Sequence, residues 1–91
     1  MDKKDYWRKE RIMKGVSNHR RIEILDLISQ KEGLSLLQIS KRLKVNFKTL
    51  AEHIRRMSAA GLVYKHSDGK NMCHSLSPRG KNVLTFLRTL E

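Results

Sequence analysis

The feature that most constrains how this chain folds is a pair of helix starts with very little chain between the two helices. Ser35 is followed three residues later by Gln38, the spacing of a capping box, in which each side chain accepts a hydrogen bond from the other residue's backbone N–H. Only Lys44 and Val45 then separate that helix from a second capping residue, Asn46. Two helices joined by so tight a turn are typical of a helix-turn-helix unit.

The segment before this unit predicts further helical structure. Residues 1–16 indicate a basic N-terminal arm or short helix, because good helix formers dominate there. Apolar residues cover a wide arc at helical spacing from Ile22 to Ile28, so we expect a central helix covered on more than one side. Ser17 or Asn18 provides the side-chain acceptor that begins it.

The segment after the unit changes from helical spacing to short strands. Asp68-Gly69 lies between two apolar runs and favours the positive-φ turn of a hairpin. Ser77 followed by Pro78 then predicts the start of a last helix. The fold class is therefore mainly α with a small β-hairpin. The expected boundaries are a hairpin at about 62–76, a C-terminal helix at about 78–90 and one domain over 17–91.

Positive charge dominates the chain and limits its partners. Twenty Lys and Arg stand against nine Asp and Glu, a formal net charge of +11, which attracts polyanions. The excess lies in residues 1–21 and in the middle of the chain, whereas residues 82–91 are neutral. Nucleic acid explains this distribution better than solubility alone does, and an anionic membrane surface is a more distant alternative.

Several protein classes are excluded by what the sequence lacks. No apolar run is long enough to span a membrane, and the N-terminus has no apolar stretch of a secretory signal. The lone cysteine, Cys73, suits a reducing compartment. We therefore expect a cytoplasmic protein without a membrane partner. Without a phosphate-binding glycine loop, a nucleophile elbow or a paired carboxylate motif, we expect no enzymatic activity and no cofactor.

The cysteine and histidine residues were considered as metal ligands. Cys73 and His74 are adjacent, so in a strand they point to opposite faces and cannot both bind one ion without distortion. Packing is the better interpretation for Cys73 and for His53. His19 and His74 are candidates for pH sensitivity. We expect no metal site.

The helix that follows Asn46, over about 46–60, has two distinct faces. Leu50, Ile54 and Met57 recur at i, i+4 and i+7, so they predict the face that packs on the rest of the domain. The opposite face carries a small residue flanked by charged ones: Lys48, Ala51, Glu52 and Arg55. A solvated surface or a DNA contact would both suit this second face.

In a DNA major groove these side chains have matching partners. Lys48 can donate to guanine O6 and N7 or to a phosphate, Glu52 can accept from cytosine N4, and Phe47 can touch a thymine methyl group. In an alternative interpretation Phe47 folds back onto Val45 and belongs to the core. The predicted major-groove set is Asn46, Phe47, Lys48, Thr49, Ala51, Glu52 and Arg55.

Contacts with the DNA backbone follow from the same geometry. The preceding helix would cross the backbone, with its N-terminal N–H groups near phosphates, and the hairpin cations would reach the flanking backbone or minor groove. The predicted backbone and hairpin set is Ser35, Lys41, Arg42, Lys44, Arg56, Lys65, His66 and Lys70.

Apolar side chains at both ends of the chain exceed what one small core can cover. They predict a homodimer in which the N- and C-terminal helices pair across a two-fold axis. Two copies of the 46–60 helix would then enter successive major grooves about 34–36 Å apart, on a near-palindromic site. The predicted interface set is Tyr6, Trp7, Met13, Leu84, Leu87 and Leu90.

Five segments, in order, resemble the winged helix-turn-helix of ArsR/MarR-like transcriptional regulators. They are Ser17–Leu25, Leu36–Leu43, Asn46–Ile54, Ala60–Val63 and Leu76–Gly80. The resemblance extends over about 75 of the 91 residues. It implies a sequence-specific DNA-binding dimer, with 46–60 as the recognition helix and the hairpin around Asp68-Gly69 as the wing.

Two departures from the family pattern matter. Lys44 stands where many such turns have glycine, so a positive φ there would cost the lysine some strain. Metal-sensing members carry cysteines in the first helix of the motif, or acidic and histidine pairs in the last helix. Residues 36–39 have no cysteine, and residues 78–91 have no histidine or cysteine. The resemblance therefore does not imply metal sensing of the familiar kind.

Together these observations predict a transcriptional regulator that binds double-stranded DNA, acting as a repressor that blocks polymerase access. The main alternative is a winged-helix module that binds RNA or ribosomes, because an arm with Tyr6 and Trp7 can stack on unpaired bases. A third interpretation is a protein-interaction module of a larger transcription or replication assembly, in which DNA contact is incidental.

Overall fold

Five helices and one antiparallel hairpin follow one another in the computed structural model, which describes residues 1–91. The elements are α1 (Lys3–Lys14), α2 (His19–Gln30), α3 (Leu36–Leu43), α4 (Phe47–Ala59), β1 (Val63–Ser67), β2 (Met72–Leu76) and α5 (Pro78–Arg88). The arrangement is that of a winged helix-turn-helix, with α3 and α4 as the helix pair and the hairpin as the wing. None of the five helices combines the length and the apolar character that spanning a membrane requires.

Side-chain caps set the start of each helix. The Ser35–Gln38 capping box is present at α3, and the Asn46 side chain accepts from the backbone N–H groups of residues 48 and 49 at α4. Asn18, rather than its neighbour Ser17, caps α2. At α1, Asp2 and Asp5 form a second capping box that the sequence analysis did not identify. These caps satisfy N–H groups that have no partner within the helix.

The turn between α3 and α4 is closed by a residue in a left-handed conformation. Lys44 has φ 54° and ψ 44° and is the only non-glycine residue with positive φ. The turn is held by Ser40, whose carbonyl accepts from the Val45 N–H at 3.2 Å and whose hydroxyl donates to the Val45 carbonyl at 2.6 Å. Lys44 therefore carries the backbone strain that was expected. Its left-handed conformation sets the angle at which α4 leaves α3.

One hydrophobic core joins the helices to the base of the wing. Its 14 buried residues come from α2, α3, α4 and α5, from the loops between them and from the inner ends of both strands. Leu50, Ile54 and Met57 belong to this core, which confirms the predicted inner face of α4. Ile22 is an exception in the central helix, because it is exposed on the surface.

The wing is anchored on both edges of β2. Strand β1 pairs antiparallel with β2 from Val63 opposite Leu76 to Ser67 opposite Met72. On its other edge β2 forms a bridge to the chain before α3, with His74 N–H donating to the Leu34 carbonyl at 3.1 Å. The root of the wing is thus tied to the start of the helix-turn-helix unit. The sequence did not predict this second pairing.

His74 is buried at this bridge, with 1% of its surface exposed. Its Nδ1 lies 2.8 Å from the Leu34 carbonyl oxygen, and its Nε2 is buried without a hydrogen-bond partner. Burial holds the pKa of His74 below the usual histidine value. The neighbouring Cys73 is a free, buried thiol, as its packing role predicted.

The predicted dimer surface is wrong at Leu84. This side chain is 3% exposed and belongs to the core, because α5 packs its inner face against α2 and β2. Leu87 is half-buried and also packs against the core. The helix ends at Arg88, so Leu90 lies beyond it and stays exposed. Helical spacing alone could not separate the core face of α5 from a face open to a partner.

Candidate nucleic-acid interface

The outer face of α4 is free of intramolecular packing. Lys48, Glu52 and Arg55 are exposed and Ala51 is half-buried among them, whereas the inner face is sealed in the core. The structure thus brings the predicted stripe together on one open surface. The charged side chains of this face are open to solvent, as a helix that reads base edges requires.

The first turn of α4 carries an exposed aromatic ring. Phe47 is 47% exposed, so it does not fold back into the core with Val45. The Asn46 carboxamide oxygen accepts from the N–H groups of Lys48 and Thr49, at 2.9 and 3.2 Å, so the backbone of this turn is capped beside the ring. An exposed apolar ring on a basic surface can contact a thymine methyl group.

An ion-pair network occupies the centre of the outer face. The Glu52 carboxylate accepts from Arg55 Nε and Nη2 at 2.9 and 2.7 Å, and from Arg56 Nε at 3.0 Å. These two guanidinium groups lower the pKa of Glu52 to about 2. Without DNA, the Glu52 carboxylate is therefore engaged in ion pairs with Arg55 and Arg56. To accept from a cytosine it would have to leave at least part of this network.

A second polar contact joins α4 to α2 and to the end of α1. Arg21 donates from Nε to His53 Nδ1 at 3.2 Å and from Nη1 to the Lys14 carbonyl at 2.6 Å. His53 Nδ1 is thus the acceptor, and desolvation and the positive charge of Arg21 lower the pKa of this histidine. The sequence predicts packing for His53 and does not single out Arg21. No local spacing links two residues so far apart in the chain.

The predicted backbone contacts lie on α3, the following turn and the wing. Lys41, Arg42 and Lys44 are exposed, whereas the Ser35 hydroxyl is already used as a cap, accepting from the Gln38 N–H at 3.2 Å. Arg56 is exposed on α4, where it shares Glu52 with Arg55. On the wing the exposed predicted cations and histidine are Lys65, His66 and Lys70.

The tip of the wing is shaped by one carboxylate. Asp68 accepts from the backbone N–H groups of Lys70 and Asn71 at 2.9 and 2.7 Å, and these bonds lower its pKa. Gly69 takes φ 98°, a conformation that glycine adopts at little cost. Tyr64, on β1, is exposed as well and was missed as a candidate contact, although an aromatic residue in a basic hairpin was visible in the sequence.

Apolar side chains at the two ends of the chain lack cover. Helix α1 has no buried residue, and Tyr6, Trp7 and Met13 are exposed on it. Phe86 and Leu90 are exposed at the other end. The exposed fraction of Trp7 is 65%, large for a side chain of this apolar area.

The family model for winged helix-turn-helix DNA-binding proteins matches residues 17–64. That segment is more than half of the chain and contains α2, α3, α4 and the start of β1. The chain belongs to the winged helix-turn-helix DNA-binding family. No curated protein sequence gives a significant match.

Several solved structures share this fold, and some of them are described as transcriptional regulators. HlyU from Vibrio cholerae is 26% identical with a TM-score of 0.85, over 98% of this chain and 97% of that one. Mb0332 from Mycobacterium bovis, described as a homodimeric winged helix-turn-helix DNA-binding domain and a possible ArsR-family regulator, is 22% identical with a TM-score of 0.84, over 100% and 91%. An ArsR-like transcriptional regulator from Rhodococcus is 24% identical with a TM-score of 0.81, over 99% and 80%.

These likenesses confirm the resemblance to ArsR/MarR-like regulators and the winged helix-turn-helix fold. By family the chain is a winged helix-turn-helix DNA-binding protein, and it shares its fold with structures that are described as transcriptional regulators.

Proposed function

We propose that this protein is a sequence-specific, homodimeric transcriptional repressor that places α4 in the major groove of double-stranded DNA. The observation that carries the proposal is the outer face of α4. Lys48, Glu52 and Arg55 stand exposed on a helix whose opposite face is buried in the core. A rigid helix with donors and acceptors on its open side is the form in which proteins read base edges.

The charge of the chain supports binding to the DNA backbone. Exposed cations lie on α3 at Lys41 and Arg42, and on the wing at Lys65 and Lys70. Neutralising phosphates with such side chains releases counterions, so affinity falls steeply as salt rises. We expect a dimer to engage roughly six to ten phosphates, with log K falling by about 0.9 per log unit of salt for each of them.

A two-fold dimer would cover the exposed apolar ends of the chain. Tyr6 and Trp7 on α1, with Phe86 and Leu90 near the end of the chain, form the apolar surface that a second copy can bury. Leu84 is not part of this surface, because the core already holds it. Mb0332, which has the same fold, is described as homodimeric. Two-fold symmetry would place the two α4 helices on half-sites one helical turn apart.

The repressor role would follow from geometry. A dimer on a site one to two helical turns long excludes polymerase from that stretch of duplex. The described elements all belong to one winged helix-turn-helix.

The test is selection of bound sites from a random duplex pool, followed by affinity measurements on the enriched site. An enriched inverted repeat is expected. Lys48→Ala should weaken binding by about 1–3 kcal/mol, roughly 5- to 150-fold, and relax specificity at one base pair of each half-site. Lys81→Ala, which removes the same charge from an exposed position on α5, is the matched control.

Three results would overturn the proposal. One is an unchanged affinity of Lys48→Ala for the selected site. Another is a pool without any enriched motif, which would indicate incidental DNA contact. The third is displacement of the duplex by structured RNA at equal salt, because Tyr6 and Trp7 would then stack on unpaired bases.

A further inference from the structure

A basic cleft lies beside the C-terminal half of α4 and shares Arg55 with the outer face of that helix. It has a volume of about 250 Å³ and lies where α1, α2 and α4 meet. Its charged lining residues are Arg11 and Lys14 of α1, Arg21 of α2, and Arg55 and Arg56 of α4. No acidic residue lines it.

The cleft forms where the C-terminal end of α1 closely approaches the C-terminal end of α4. Gly15 caps α1 and faces Ala60, which caps α4. A Cβ atom at position 15 would overlap the Cβ of Ala60 and would lie 3.1 Å from the Ile12 carbonyl oxygen. Only a residue without a side chain permits this approach, and the approach brings the cations of α1 beside those of α4.

One guanidinium in the cleft is held in place without a counterion. Arg21 is half-buried, and its contacts are to two neutral acceptors, His53 Nδ1 and the Lys14 carbonyl. It forms no salt bridge, unlike Arg20 beside it, which pairs with Glu23. A partly desolvated charge without an opposite charge is costly. The Arg21 side chain is also preorganised, because its two hydrogen bonds leave little side-chain freedom to be lost when an anion binds.

The charge balance of the cleft is positive. Two carboxylates partly offset the five cations, because Glu52 pairs with Arg55 and Arg56 and Glu10 lies 3.9 Å from Lys14. An excess of three positive charges remains. Burial is the main reason that the pKa of His53 is lowered, and Arg21 and Arg56 lower it further because both disfavour another positive charge beside them.

We propose that this cleft binds the diphosphate group of a small ligand. Four of the five cations are arginines, whose planar forks match phosphate oxygens in bidentate fashion. A phosphate group carries about −1.5 to −2 at neutral pH, so a diphosphate fits an excess of three charges better than a carboxylate does. The volume lies just below the roughly 300–1,000 Å³ of pockets that enclose drug-sized ligands, which suits a small anion.

The site can also extend along the surface. An adjoining cleft shares Arg11, Ala59 and Ala60 with the first and adds Arg8 and Arg79. Arg79 donates to the Ala60 carbonyl at 3.1 Å, which fixes it at the rim. The remainder of a diphosphate compound would lie in this direction.

The proposal is tested on the full-length free chain with inorganic pyrophosphate, by calorimetry and amide NMR at a constant ionic strength of about 0.15 M. Saturable binding with a Kd below about 1 mM is expected, with the largest shifts at the Gly15 and Ala60 amides. Arg11→Gln and Arg21→Gln should each weaken it at least fivefold. Lys31→Gln, at the opposite end of α2 from Arg21, removes the same charge and should change the affinity less than twofold.

Arg11→Gln keeps the test decisive if Arg21→Gln does not fold, because Arg11 is exposed and makes no side-chain hydrogen bond or salt bridge. Shifts that grow linearly without saturation, or an equal loss of affinity in Lys31→Gln, would overturn the proposal. A further measurement on duplex DNA distinguishes the two sources of phosphate, which are a small ligand and the DNA backbone. If pyrophosphate fails to bind while Arg11→Gln lowers the salt slope of duplex binding by about one, the cleft seats a backbone phosphate and holds no small ligand.

Discussion

The substitution Gly80→Ala distinguishes tertiary packing from helix propensity, because the two predict opposite signs. Gly80 is in the first turn of α5, directly against the backbone where the chain enters the wing. A Cβ atom at this position would overlap the carbonyl oxygen of Leu62 and lie 3.1 Å from its carbonyl carbon. Propensity alone favours the alanine, which stabilises a helix by about 0.5–1 kcal/mol relative to glycine.

The backbone at Leu62 cannot easily yield. Its N–H donates to the Met57 carbonyl at 2.9 Å, and its carbonyl accepts from the Ser77 N–H at 3.0 Å. Overpacking costs about 1–3 kcal/mol, and weakening one of these hydrogen bonds adds about 0.5–1.5 kcal/mol. After the gain in propensity is subtracted, the free energy of unfolding should fall by about 2 kcal/mol. For a domain of this size that lowers Tm by about 8–16 °C.

Urea unfolding followed by far-UV circular dichroism, at one fixed protein concentration, measures the change. Asn82→Ala, at an exposed position two residues further along α5, is the matched control and should change stability by no more than a few tenths of a kcal/mol in the stabilising direction. A Gly80→Ala protein as stable as the unmodified chain, or more stable, would refute the packing argument. The junction of α5 with the wing would then be looser than the structure shows.

Three further outcomes are expected. Lys44→Gly should raise the free energy of unfolding by about 0.5–1 kcal/mol. Glycine removes the cost of about 1–2 kcal/mol that a left-handed lysine carries, but part of this gain is lost because glycine gives up more backbone entropy on folding. An equal gain in Lys44→Ala would contradict this. Because the pKa of His74 is lowered in the folded state, the unfolded chain binds a proton first, so stability should fall as pH drops below about 6.5. His74→Gln should reduce that slope and His66→Gln should not. Glu52→Gln releases Arg55, so non-specific duplex affinity should rise a few-fold in filter binding at low salt; weaker binding would be the contrary result.

Local chemistry made much of the fold predictable. Ser35 with Gln38, and Asn46 with the two N–H groups that it accepts from, act over two or three residues, so their hydrogen bonds are visible in the sequence as spacing. The inner face of α4 was predictable for the same reason, since Leu50, Ile54 and Met57 recur with the helical period. The left-handed conformation of Lys44 was anticipated because many helix-turn-helix turns have glycine at this position.

The assignment of surfaces was less predictable. Leu84 and Leu90 look alike in the sequence, yet one is in the core and the other is exposed beyond the end of α5. A spacing pattern identifies which residues share a face, but it contains no information about what covers that face. Likewise, Glu52 was expected to be available to a base, and its two arginines were each assigned a separate contact. The structure joins all three in one network.

By itself the sequence determined the helices, the turn, the hairpin and the face that α4 turns inward. Each depends on residues within about one helical turn of one another, whose spacing and side-chain chemistry suffice. The tertiary structure alone decided the bridge from His74 to Leu34, the bond from Arg21 to His53 and the basic cleft between α1 and α4. Those contacts join residues 32 and 40 positions apart, or three separate helices. Their partners are chosen by how the whole core packs, and no local pattern records that choice.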